Sequence, residues 1–152
     1  MQDKAKKICV LGGFYFTIDY IINLLQDFSK EEQTYNFAKM VAACLDNIST
    51  GLFLLFVILF FMVLFGKKIS CLCKFISKFP KFSTYLYYIG FIGYILLVFD
   101  MIVLTLTKFI SLGEVAQTYI AWSIACINII GILIALIIAT RDVFFKHITI
   151  AK

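Results

Sequence analysis

The chain has 152 residues, of which 62% are hydrophobic and 17% aromatic, and its formal net charge is +5. A soluble domain is expected to be about 45–50% apolar, so this composition excludes a soluble protein and indicates an integral membrane protein. The positive charges lie beside the hydrophobic runs, where anionic lipid is the nearer partner, and we expect no nucleic-acid binding. The length predicts a single membrane domain over residues 1–152.

The first hydrophobic run predicts a transmembrane helix over residues 8–25. It follows three lysines within residues 4–7, and its length is near the minimum that crosses roughly 30 Å of hydrocarbon. No small-x-small cleavage pattern follows the run, so we expect a retained signal-anchor helix. Asp19 lowers the hydropathy and makes this the weakest predicted span. The polar residues 26–36 are predicted to be the connection on the far side.

The second predicted span, residues 48–65, carries no charge and follows an amphipathic stripe. From Phe37 onwards apolar residues recur at the i, i+3, i+4, i+7 spacing of a helix with one apolar face. A continuous helix over residues 37–65 would be about 44 Å long at 1.5 Å per residue, longer than the hydrocarbon core. We therefore expect that its first turns protrude or that the chain bends near Gly51.

Residues 67–82 predict an amphipathic helix in the plane of the cytoplasmic membrane surface, ended or kinked by Pro80. Its apolar residues recur at helical spacing, and the lysine stems between them can extend towards lipid phosphates. Cys71 and Cys73 are candidates for S-palmitoylation, the alternative being two small residues on a surface helix. The predicted lipid-contacting residues are Lys67, Lys68, Lys74, Lys78 and Lys81.

The third and fourth spans are predicted over residues 84–107 and 117–140, with a short connection between them. Tyrosines crowd the start of the third span, and Tyr119 and Trp122 lie near the start of the fourth, as in an interfacial aromatic belt. On the fourth span a small residue recurs every four positions, which lets two helix backbones approach closely. Packing inside the protein's own bundle and a dimer seam are both open interpretations of this stripe, formed by Gly131, Ala135 and Ala139.

Three polar residues are predicted to lie inside the membrane, namely Asp19, Asp100 and Asn128. An intramembrane carboxylate costs about 2.5–3.5 kcal/mol on insertion scales, so each should face the protein interior and have a partner or a purpose. If the first and third spans are neighbours, Asp19 and Asp100 could share a proton or a cation. The alternative is that each is protonated or hydrogen-bonded as a structural contact. Asn128 is expected to hydrogen-bond a neighbouring helix.

The distribution of cations predicts that both termini are cytoplasmic. The sequence thus predicts an all-α fold, a four-helix transmembrane bundle with one cytoplasmic amphipathic interfacial helix. With four spans, the outer or lumenal side carries only Lys30, Lys39 and Lys108. The eleven cations on the cytoplasmic side are Lys4, Lys6, Lys7, the five lysines of residues 67–82, Arg141, Lys146 and Lys152.

No enzyme motif is present in the sequence. It contains no HExxH, no GxSxG, no phosphate-binding glycine loop and no paired-cysteine redox site. The five cysteines show no disulfide or zinc spacing, and His147, the single histidine, is expected to be solvated. The sequence therefore predicts a protein without catalytic residues, cofactor or metal site.

The predicted layout resembles small tetraspan proteins of vesicle and Golgi membranes, such as the MARVEL-type and COPI-associated families. The shared features are four spans in 152 residues, cytoplasmic termini, short outer connections and aromatic-rich helices. Residues 87–93, YYIGFIG, are compatible with that group. The resemblance covers the whole chain as architecture and carries no functional residue across.

Because the distinctive features face the membrane, we expect a non-enzymatic membrane-organising or trafficking protein, or an accessory subunit of a membrane complex. Its expected partners are the bilayer with its anionic lipids, and another membrane protein or a second copy of the chain. The expected location is an endomembrane, such as Golgi or vesicles, or the plasma membrane. The alternative function is a proton- or cation-coupled transport component that uses Asp19 and Asp100.

Overall fold

The regular structure of the protein is entirely helical in the residues described. The computed structural model describes residues 2–31, 35–110 and 113–145, and the side chains within them except those of residues 24–31, 35–43 and 114. This confirms the predicted all-α class. The helices are α1 (Gln2–Glu31), α2 (Tyr35–Leu64), α3 (Ser70–Lys78), α4 (Pro80–Phe109) and α5 (Glu114–Phe145).

Three of the described helices are long and apolar enough to cross a membrane: Cys44–Leu64 within α2, Pro80–Phe109, and Val115–Phe145 within α5. They correspond to the second, third and fourth predicted spans. The part of α1 whose side chains are described does not reach this hydropathy. We expected four apolar helices of membrane length, and three are confirmed. The described part of α1 includes its lysines, Asp19 and Asn23, whereas the leucines that complete the predicted span lie outside the described side chains.

The four long helices lie side by side in the order α2, α1, α4, α5, with α1 packed on both α2 and α4. α1 and α2 are antiparallel, because Asp19 meets Ser49 at one end of the pair while Lys4 lies against Gly66 at the other. The layer is curved, so that the Tyr94 ring of α4 reaches the phenylalanine rings of α2. α1 is therefore the most enclosed of the four helices.

The α1 and α4 backbones touch at two glycines. A Cβ atom on Gly13 would lie 1.8 Å from the carbonyl oxygen of Leu86, and a Cβ on Gly90 would lie 1.8 Å from the carbonyl oxygen of Cys9. Both distances are far inside van der Waals contact, so only glycine fits at either position. Leu86 and Val10 beside the crossing are almost fully buried. The glycines thus determine how closely the two helices pack.

α5 packs on α4 through the predicted stripe of small residues. Ala135 and Ala139 are 0% exposed, and a Cβ on Gly131 would lie 2.8 Å from the Leu96 side chain of α4. α4 thus occupies the stripe, which favours the interpretation of packing within the chain. In the predicted four-helix bundle, α5 would pack closely on a second helix besides α4. The structure is instead an open layer, in which α4 is the neighbour that packs extensively on the described part of α5.

The amphipathic helix is shorter than the predicted residues 67–82, since α3 covers only Ser70–Lys78. The reason at its start is Gly66, which adopts a left-handed φ of 82° and terminates α2. The N–H of Lys67 donates to the carbonyl of Met62 at 2.9 Å, as in a Schellman cap, so the chain leaves the helix before the first predicted residues.

Pro80 starts a helix instead of ending or kinking one. It occupies the first turn of α4, where its missing N–H and fixed φ are tolerated. Phe79 separates α3 from α4, and its carbonyl accepts the N–H of Ser83 at 2.9 Å. Lys81 and Phe82, which we predicted as the end of the interfacial helix, therefore belong to the first turn of α4.

The long helices extend beyond the predicted spans. α2 is continuous from Tyr35 through Gly51, and its 30 residues measure about 45 Å, longer than a hydrocarbon core of about 30 Å. Much of the predicted connection at residues 26–36 is helical backbone, with side chains outside the described part. α5 continues to Phe145, and His147 lies outside the described residues.

Candidate functional site

Cations gather at one end of the helix layer. α1 and α4 begin at this end, and α2 and α5 finish there, because neighbouring helices in the α2, α1 and the α4, α5 pairs are antiparallel. At the opposite end Lys108 is the one cation whose side chain is described. The described cations of the first end, which we call the basic face, are Lys4, Lys6, Lys7, Lys67, Lys68, Lys74, Lys78, Lys81 and Arg141.

Lys7 connects α1 to α3 within the basic face. Its Nζ donates to Asp3 Oδ2 at 2.7 Å and also lies beside the Cys73 thiol. The hydrogen bond to Asp3 raises the pKa of Lys7 above its usual value, and the same bond lowers the pKa of Asp3. Lys7 therefore remains charged at the point where α1 begins.

α3 presents an aromatic side and a cationic side. The Phe75 ring packs against Phe79 and Phe82, with centroids 5.6 and 5.9 Å apart, and no residue of α3 is fully buried. Lys74 and Lys78 are exposed, and Nζ of Lys78 lies 5.7 Å from the Phe79 centroid. A short helix with this division, attached to its neighbours by few contacts, has the form of a membrane-surface helix.

The two cysteines of α3 differ in exposure. Cys71 is exposed and Cys73 is half-buried beside Lys7, and both are free thiols. Their acylation stays a prediction. Of the two, Cys71 is the more accessible to a modifying enzyme.

Asp19 joins α1 to α2. Its Oδ1 accepts a hydrogen bond from Ser49 Oγ at 2.8 Å, and its Oδ2 accepts one from Asn23 Nδ2 at 3.1 Å. Each carboxylate oxygen therefore has a donor. Ser49 lies at the start of the charge-free stretch of α2, so this contact is near the end of the layer opposite the basic face.

Asp100 joins α4 to α5. Its Oδ2 accepts a hydrogen bond from Asn128 Nδ2 at 3.0 Å, the interhelical contact expected for that asparagine. Asp19 faces α2 and Asp100 faces α5, so the structure brings Asp100 and Asn128 together but gives the two carboxylates separate partners. Among the described residues, Asp100 Oδ1 and Asn128 Oδ1 are buried without a hydrogen-bond partner.

A polar contact that sequence reasoning missed lies at the basic end of the α4/α5 interface. The Tyr88 hydroxyl donates to Asp142 Oδ2, while the Tyr85 hydroxyl and Thr140 Oγ1 lie 3.1 Å apart. Spacing could have revealed Asp142, because it lies three positions after Ala139 and therefore near the same face of α5 as the small-residue stripe. The hydropathy of the fourth span gave no such signal, since the predicted span ended before Asp142.

No protein-family model matches the chain, and no curated protein or solved structure does so either. Its class therefore rests on its own sequence and fold. Three membrane-length apolar helices and an all-α fold support a multi-pass membrane protein. The resemblance to MARVEL-type and COPI-associated tetraspan proteins stays a prediction.

Proposed function

We propose that this protein is a non-enzymatic, multi-pass membrane protein that organises membranes by binding anionic lipid at its cytoplasmic side, a role suited to vesicle trafficking. The basic face carries the proposal. It combines nine described cations with an amphipathic helix whose aromatic side can enter the headgroup layer. Clusters of four to eight cations beside membrane helices typically bind anionic lipids.

We propose further that α1 is a fourth membrane span. Lys4 lies at the level of Gly66 and Asp19 at the level of Ser49, so α1 runs beside the whole charge-free stretch of α2. On its other side α1 touches α4 at Gly13 and Gly90. Asp19 is half-buried between these neighbours and bonded to Ser49, which supports the placement of a helix of lower hydropathy in a membrane.

This arrangement predicts that both termini face the cytoplasm. Epitope tags at either terminus should be reached by antibody only after the cytoplasmic side is opened, whereas a tag inserted between Ser29 and Gln33 should be reached only from the other side. The measurement is immunofluorescence under selective permeabilisation. Termini on opposite sides would show that α1 does not cross, because three spans place the two ends apart.

Lipid binding predicts a large effect of charge in α3 and the first turn of α4. The Lys74→Gln, Lys78→Gln, Lys81→Gln triple variant should lose about 3 kcal/mol, since each lysine near the surface is worth about 1 kcal/mol. That loss is about a 100-fold weaker association. The measurement is enrichment of a fluorescent anionic lipid around the full-length protein reconstituted in vesicles, followed as salt is raised.

Two control variants separate charge from structure. The corresponding triple Lys→Arg variant keeps the charges and should retain lipid enrichment, while Lys108→Gln removes a cation from the opposite end and should change little. Enrichment that is insensitive to salt and equal in the wild type and the triple Gln variant would contradict the proposal.

A role as an accessory subunit is the second candidate. It is favoured by the open layer, in which α5 leaves Tyr119 and Trp122 exposed. Copurification in mild detergent tests it, because a stoichiometric larger complex would identify a subunit. Transport through a site shared by Asp19 and Asp100 has no support in the described contacts, since the two carboxylates bond to different helices.

A further inference from the structure

The contact between Asp100 and Asn128 is half complete. A carboxyl group and a carboxamide side by side can form two parallel hydrogen bonds, and the structure contains one, from Asn128 Nδ2 to Asp100 Oδ2 at 3.0 Å. The remaining atoms, Asp100 Oδ1 and Asn128 Oδ1, are both buried and have no partner among the described residues. Both are acceptors when the carboxyl is ionised, so neither can satisfy the other.

One proton satisfies both atoms. A hydrogen on Asp100 Oδ1 would donate to Asn128 Oδ1 and close a ring of two hydrogen bonds between α4 and α5. An unsatisfied buried polar group destabilises the folded protein, and here two are removed at once. We propose that Asp100 and Asn128 form an intramembrane proton-binding site, in which the neutral carboxylic acid locks α4 to α5. This site rests on the α4/α5 contact and not on lipid binding.

A metal cation fits the contact less well than a proton does. Two free oxygens are available, whereas hard cations such as calcium take six to eight oxygen ligands and magnesium needs an octahedral set. No group of three or more His, Cys, Asp or Glu side chains that could hold a metal ion occurs among the described residues. The shortage of ligands favours the proton, which needs only one donor atom and one acceptor.

The charged groups on the neighbouring elements leave the site isolated. Asp19 on α1 accepts its bonds from Ser49 and Asn23 and faces α2. Lys108 on α4 is eight residues away from Asp100, about 12 Å along the helix. The remaining described charges on the elements packed against α4 belong to the basic end: Lys4, Lys6, Lys7 and Asp3 on α1, Lys74 and Lys78 on α3, and Arg141 and Asp142 on α5.

Asp19 is a matched control for this inference. Both of its oxygens already accept hydrogen bonds, so Asp19 has no unsatisfied oxygen that a proton would have to satisfy. The two carboxylates are both flanked by apolar sequence and differ in the number of donors that they receive. The structure therefore assigns the proton to Asp100 and leaves Asp19 as an acceptor.

Infrared spectroscopy of the full-length protein in bilayers, with ¹³C-labelled aspartate, tests the site. We expect a protonated-carboxyl C=O band at neutral pH that is lost in Asp100→Asn and kept in Asp19→Asn. Asn128→Leu should keep the band and shift it to higher frequency, because the Nδ2 hydrogen bond is removed. This second variant reports on the site even if Asp100→Asn fails to fold.

Thermal unfolding gives an independent readout. Asp100→Asn replaces the acid by an amide that can form the same two bonds with Asn128, so its Tm should equal that of the wild type at neutral pH. A wild type without the band, or a band that survives in Asp100→Asn, would overturn the proposal.

Discussion

Replacing Gly90 by alanine is expected to destabilise the protein by about 3 kcal/mol or more. The added Cβ would lie 1.8 Å from the Cys9 carbonyl oxygen and 2.6 Å from the Gly13 nitrogen. Overpacking typically costs about 1–3 kcal/mol, and the cost here is at the upper end because both opposing atoms are backbone and cannot rotate away. The measurement is the thermal or denaturant midpoint of the purified protein in detergent.

Gly51→Ala is the matched control for Gly90→Ala. Gly51 is also helical and inside an apolar span, but a Cβ there would meet no atom within 4 Å. Alanine is favoured over glycine in a helix by about 1 kcal/mol, so this variant should be neutral or slightly more stable. Gly13→Ala should behave as Gly90→Ala does, because its Cβ would meet the Leu86 carbonyl. Similar midpoints for Gly51→Ala and Gly90→Ala would contradict the close crossing of α1 and α4.

Replacing Tyr88 by phenylalanine is expected to cost about 2 kcal/mol. The Tyr88 hydroxyl donates to Asp142, whose side chain is only 13% exposed. Hydrogen bonds between membrane helices average about 0.6 kcal/mol, but a charged acceptor that loses its donor costs about 1.5–3 kcal/mol. The larger value applies because the acceptor is a carboxylate on a largely buried side chain. The measurement is again the unfolding midpoint in detergent.

Tyr85→Phe removes a hydroxyl from the same helix one turn earlier. Its contact with Thr140 joins two neutral groups at an exposed position, so water or headgroups can replace it. We expect a change below about 0.5 kcal/mol. Equal effects of the two tyrosine variants would mean that the carboxylate of Asp142 has no special role in joining α4 to α5.

Local sequence patterns predicted much of the fold. The charge-free and nearly charge-free runs identified three membrane-length helices. The transfer of a helix from water into a bilayer depends on its own composition and length, and not on the helices packed against it. The stripe of Gly131, Ala135 and Ala139 indicated a close helix contact for a similar reason, since helical periodicity alone places these residues on one face. Helix ends were less accurate. The left-handed Gly66 and the helix-initiating Pro80 shortened α3, although both residue types admit these roles.

The partners of the intramembrane polar residues could not be predicted from the sequence. Asn128 was expected to hydrogen-bond another helix, but the identity of its partner required the α4/α5 register. A shared site of Asp19 and Asp100 requires more than neighbouring spans, because a position in the sequence does not show which neighbouring helix a residue faces. Ser49 became a partner of Asp19 only through the antiparallel pairing of α1 and α2.

The sequence by itself determined the membrane class, the three apolar helices, the positions of the cations and the amphipathic character of α3. These properties depend on residue type and on spacing along one helix. Only the tertiary structure decided the order α2, α1, α4, α5, the crossing at Gly13 and Gly90, and the bond between Asp100 and Asn128. Each of those depends on the rotation and register of two helices together, and contacts between residues distant in the chain determine that geometry.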